Sequence, residues 1–145
     1  MLKCCLWLSL GGVLAFTQAP SGAKKTSLPF TCDVFSPTAS AASLARRFGA
    51  RNVTTGLVRV PEFDDQEGTI LFASDPEARA EIYWLDTTAK RGPERVYVDA
   101  PKSRWMSSRG IRIGMSISDL ERMNGRPIKL FFSDTDLGNS VMSWN

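Results

Sequence analysis

Apolar residues along this chain recur with two different periods, and the change of period divides it into elements. In SAASLARRFG (residues 40–49) a hydroxyl opens the run, Leu44 follows four residues later, and Gly49 comes five beyond that. The same spacing returns at Ser116, Leu120 and Gly125 within GMSISDLERMNGRP (114–127). Each run is predicted as a helix. A side-chain hydroxyl accepts a hydrogen bond from an amide of the first turn, and glycine takes the left-handed conformation that ends the helix. Ser116 is placed to cap Asp119, whose charge suits the positive end of the helix dipole, while Met115 and Leu120 have the spacing of a hydrophobic staple. Pro127 prevents the second helix from continuing. Helices of only about two turns are marginal in water, so packing must hold them.

Between and after these helices the pattern alternates. NVTTGLVRV (52–60), GTILFAS (68–74), AEIYWLD (80–86) and ERVYVDA (94–100) read as strands, separated by the turn-rich stretches PEFDDQEG, DPEAR and KRGP. Along the third, Ile82 and Trp84 share one face, predicted to be the core, and Tyr83 and Leu85 share the other. Trp105 and residues 111–113 lead into the second helix; PIKLFFS (127–133) and NSVMSW (139–144) flank DTDLG as a hairpin. These elements predict an α+β fold, a largely antiparallel sheet with two short helices on one face. Helix followed by hairpin occurs twice, and an internal duplication of that unit is one explanation. The spacing is unequal, however: Trp84 lies 35 residues after Gly49, and Trp144 only 19 after Gly125.

The N-terminus belongs to neither pattern. Lys3 precedes LWLSLGGVLAF (6–16), and small residues follow, which is the plan of a secretory signal peptide. This apolar run of 11 residues falls short of the roughly 20 that span a bilayer. Ser21 and Ala23 fit cleavage after Ala23; cleavage after Ala19, the alternative, would leave Pro20 next to the cut. The expected organisation is therefore a signal peptide over 1–23, a mobile leader over 24–37 that becomes ordered near Phe30 to Phe35, and one α+β domain over 38–145, secreted or periplasmic, with no membrane span in the mature chain.

Composition removes several chemistries. The chain has no histidine, so Ser-His-Asp and Cys-His nucleophile pairs and the commonest metal ligand are absent. Cys4 and Cys5 leave with the signal, and Cys32 alone supports neither a disulfide within the chain nor a zinc site. Net charge is +3, or +2 without Lys3, and carries no nucleic-acid footprint; Arg46, Arg47 and Arg51 read as a solvated helix face. Carboxylates gather at Asp64, Asp65 and Glu67 and again at Asp134 and Asp136. These compositions belong to turns, and DTDLGN has its glycine one position too early for a calcium loop. A serine-lysine pair would need Lys90, Lys102 or Lys129 desolvated beside a serine. No catalytic residue, metal ligand or cofactor site is assigned. The binding candidates are Trp84, Trp105, Trp144 and Tyr83, aromatics that also fit a core. Asn52-Val53-Thr54 is a glycosylation sequon, relevant only in a eukaryotic host.

FGARNV (48–53), EIYWLD (81–86) and GIRIGMSISDLERMNGRP (110–127) occur in this order in a family of uncharacterised secreted bacterial proteins, which this chain resembles over most of residues 36–144. More distantly, GMSISDLERMNGRP resembles a segment of the SmpA/OmlA outer-membrane lipoproteins and of β-lactamase-inhibitor-like folds. Those are small helix-plus-sheet modules that bind other proteins and are not enzymes. The resemblance implies an envelope protein as partner. It departs after NGRP, where IKLFFSDTDLGNS replaces an aromatic, glycine-rich stretch, and at Asn145, where the family continues; a C-terminal truncation is the corresponding expectation. Two functions follow as expectations: a non-enzymatic protein-binding or envelope-associated module, and, as the alternative, a carboxylate-dependent hydrolase of an envelope polymer. Oligomeric state is left open.

Overall fold

The computed structural model describes residues 25–60, 63–131 and 140–143. Its centre is a four-stranded antiparallel sheet in the order β2-β3-β4-β5, built from Val53–Val58, Gln66–Leu71, Ala80–Asp86 and Arg91–Tyr97. Helix α1, Ala41–Phe48, precedes it. Ser40 adopts the extended backbone of a cap and accepts from the Ser43 amide at 3.2 Å, while the Ser43 hydroxyl accepts from the Ser40 amide at 2.9 Å. Gly49 then turns the chain with φ of 89°. Leu44 is the buried residue of α1, and it meets Leu71, Ala80, Ile82 and Trp84 from the sheet. The alternation in β4 works as the sequence predicts: Ile82 and Trp84 are buried, Tyr83 is half-buried and Leu85 is exposed.

The KRGP stretch is not the turn that its glycine and proline signal. The chain reverses at residues 87–90, where Asp86 Oδ1 accepts from the Ala89 amide at 2.8 Å and Lys90 takes a left-handed backbone with φ of 48°. Arg91, Gly92 and Pro93 already belong to β5. Proline is tolerated there because β5 is an edge strand and its pairing shifts register at this point, Tyr83 facing Arg95 and Trp84 facing Pro93.

Residues 25–37, expected as a leader, contribute to the body. Strand β1, Leu28–Pro29, pairs in parallel with β6, Trp105–Met106, through Leu28 N–H to Arg104 O and Phe30 N–H to Met106 O, both 2.8 Å. Val34 is buried in the core cluster, and Phe30 and Phe35 pack on the Trp105 ring with centroids 6.4 and 5.6 Å away. Charges fasten the strap: Arg104 donates to Asp75 at 2.7 Å and to the Thr26 carbonyl at 2.9 Å, and Lys25 pairs with Glu77 at 3.1 Å. Partial burial works to raise the Asp75 carboxyl. The Arg104 hydrogen bond and the Lys25 charge outweigh it and hold Asp75 below the ordinary carboxylate range.

Helix α2, Ile117–Asn124, has the expected ends: Ser116 accepts from the Asp119 amide at 3.1 Å, and Gly125 is left-handed with φ of 77°. Asp119 also pairs with Arg122 on the helix surface. The two helix-hairpin units are not equivalent. α1 reaches the core through Leu44, whereas α2 has no buried residue and is followed by a separate antiparallel pair, β7 (Lys129–Phe131) with β8 (Ser140–Ser143). Among the described residues no helix is long and apolar enough to cross a membrane.

Candidate functional site at the open edge of the sheet

Two of the four aromatic candidates are spent on packing. Trp84 is 1% exposed and its indole donates to Thr69 Oγ1 at 2.9 Å; Trp105 is 3% exposed and donates to the Ala78 carbonyl at 2.7 Å. A ring with so little surface, and with its only donor satisfied, has little left to recognise a ligand. Trp105 shows only a rim, in the wall of a groove described below. Tyr83 lines a shallow polar depression with Glu67, Thr87, Thr88 and Lys90. Trp144 lies outside the described residues, as do Asp134 and Asp136.

The remaining polar candidates are dispersed or engaged. Asp64 and Asp65 are exposed, and Glu67 faces Lys90 Nζ at 3.3 Å rather than a second carboxylate. Lys90 also donates to Thr55 Oγ1 at 2.7 Å, which ties the β4–β5 turn across the sheet to β2. Lys102 and Lys129 are exposed, as are the Cys32 thiol and Arg46, Arg47 and Arg51. The sequon amide of Asn52 is occupied locally, donating to the Phe48 carbonyl at 2.8 Å.

What the structure does assemble is a groove along β5. The sheet order leaves this strand with a neighbour on one side only. Backbone groups of an antiparallel strand point alternately to its two sides, so the open positions can be deduced. Phe72 N–H donates to Asn52 O at 2.8 Å, which fixes the pairs 54/70 and 56/68 as the hydrogen-bonded ones between β2 and β3. Alternation then turns Thr69 and Leu71 toward β4, turns Glu81 and Tyr83 toward β5, and leaves Val96 and Val98 pointing away from the sheet. The start of β5 agrees independently. Lys90 O accepts from Ala41 N–H at 3.0 Å and Gly92 N–H donates to Ala39 O at 2.9 Å, so the even positions face outward there as well. Those first two outward positions are occupied by residues 39–41. Beyond the register shift, Val96 and Val98 have no backbone partner on that side among the described residues.

Beside these open groups runs a cavity of about 330 Å³ lined by Phe30, Val96, Val98, Trp105, Ile111 and Ile113. Phe30 and Ile113 are among the large apolar residues left exposed. Arg112 also lines the cavity, and its side chain has neither ion pair nor hydrogen bond among the described residues. Three features therefore coincide: unpaired backbone in extended conformation, apolar walls, and one cation. Alternation at residues 96–98 marks a strand in the sequence and Pro93 is a local sign of an edge, but nothing local brings Phe30 and Ile111 to it.

A scan against protein families, and searches of curated proteins and of solved structures, return no match to this chain.

Proposed function

We propose that this protein is an exported, non-enzymatic module that binds an envelope protein by accepting an extended segment of it as a further strand on β5. The observation that carries this reading is the open edge at Val96 and Val98 beside apolar walls. Strand addition draws affinity from main-chain hydrogen bonds and selectivity from pockets for alternate side chains, and this edge offers both. An N-terminus built like a signal peptide and the lack of histidine agree with it. So does the resemblance of residues 110–127 to small modules that bind other proteins.

Val96→Pro is the sharpest test, because it deletes an N–H that points away from β4 and is used by no described residue. Peptides are first selected for binding from a random library. Their affinity for Val96→Pro should fall about tenfold, the size of one or two lost hydrogen bonds, with circular dichroism showing the fold retained and the unfolding midpoint lowered only by the lost packing of the Val96 side chain. Undiminished binding by a folded Val96→Pro, or a library that yields no binder at all, overturns the reading. Export is tested separately by sequencing the N-terminus of the released protein, where Lys24 is expected first.

A further inference from the structure

We infer that the segment accepted on β5 carries a carboxylate that pairs with Arg112. This rests on the proposed strand addition and names the chemistry of its occupant. Two of the cations beside it are already engaged, Arg104 with Asp75 and Lys25 with Asp75 and Glu77. Arg112 differs. It is exposed, lies between Ile111 and Ile113 in the wall of the groove, and also borders the neighbouring depression formed by Lys25, Ser103, Arg104 and Met106. Glu94, the one acid in β5, is not among the residues that line the groove with it.

Arg112 is exposed in the free chain, and a strand docked along the groove would shield its guanidinium partly from water. A carboxylate brought there on a docked strand therefore gains more than it would on open surface. The backbone of Arg112 is itself fixed by an antiparallel bridge to Met106 in β6, so the cation is held on the scaffold that carries Trp105. Valine, isoleucine or threonine at alternate positions of the partner suits walls made of Val96, Val98, Phe30 and Ile113. The carboxylate has two sources, an Asp or Glu side chain or the C-terminus of the partner, and both present the same group to Arg112.

The experiment selects random peptides, displayed with free C-termini, on the wild-type chain and titrates the winners against Arg112→Gln and Val96→Pro. Enriched peptides are expected to alternate apolar residues and to hold an acid or a terminal carboxylate at a fixed offset. Arg112→Gln should weaken them about tenfold or more, and the loss should shrink in high salt. Amidating the C-terminus, or replacing the acid with its amide, should copy the effect on wild type and add nothing on Arg112→Gln; which change matters identifies the source. Winners without a preferred acid, or unaffected by Arg112→Gln while lost on Val96→Pro, would refute the inference and leave strand addition standing. Binding unaffected by Val96→Pro would refute both.

Discussion

Trp84 and Thr69 form the most deeply buried polar pair on the inner sheet face, and their hydrogen bond permits a closed test of how this core is held. Both are 1% exposed, and the indole N–H reaches Thr69 Oγ1 at 2.9 Å. Thr69→Val keeps the shape of the side chain but strands the indole donor, which costs about 1–3 kcal/mol. Trp84→Phe loses the bond from the other side and also removes part of a ring. A void of roughly 40 Å³ adds about 1 kcal/mol at ~24 cal/mol per Å³, so this variant should lose about 2–4 kcal/mol. The double variant has no stranded donor. It should therefore be more stable than the sum of the two losses by about 1–2 kcal/mol. Urea unfolding followed by far-ultraviolet circular dichroism measures all four proteins without relying on tryptophan emission. Losses that simply add, within about 0.3–0.5 kcal/mol, would mean that the two side chains are not coupled and that their hydrogen bond contributes nothing measurable to stability.

Two further outcomes follow from named contacts. Gly68→Ala should destabilise by about 2 kcal/mol or more in the same urea assay, because an added methyl would collide with the Ile82 carbonyl and a Val58 methyl, and the carbonyl is backbone that cannot turn aside. Asp75 is held below its ordinary range in the folded protein, so the stability it contributes is complete above the unfolded pKa of about 3.9 and fades as pH falls through the folded value. Asp75→Asn should accordingly be less stable than wild type at neutral pH, with a deficit that narrows below about pH 4; a deficit that stays constant down to pH 2 would contradict the assignment.

The parts of the fold that could be read in advance are those whose signals lie within one turn or one strand. Ser40 and Ser116 stand three residues before the amides they cap, Gly49 and Gly125 carry the backbone that ends each helix, and Ile82 and Trp84 are two apart on one pleat. KRGP misled because turn composition is a statistical sign. The reversal was achieved one step earlier by Asp86 and Lys90, and the register shift in β5 absorbed the proline. β1 and β6 were invisible for a different reason: two residues have no periodicity, and Leu28 meets Trp105 across most of the domain. The candidate site shares that property. Val96, Phe30 and Ile111 come from three separate stretches, so only their meeting makes a groove, while the tryptophans that looked most like recognition residues were needed to fill the interior.

The parallel pairing of Leu28 with Trp105 also orders events in time. A ribosome releases Phe30, Val34 and Phe35 long before the tryptophan they rest on, and the Thr26 carbonyl waits 78 residues for its arginine. Loops of that length close late, after the hairpins between them. The nascent chain thus displays its earliest sticky side chains until Trp105 has been made, and anything that shields it from aggregation must cover that end longest.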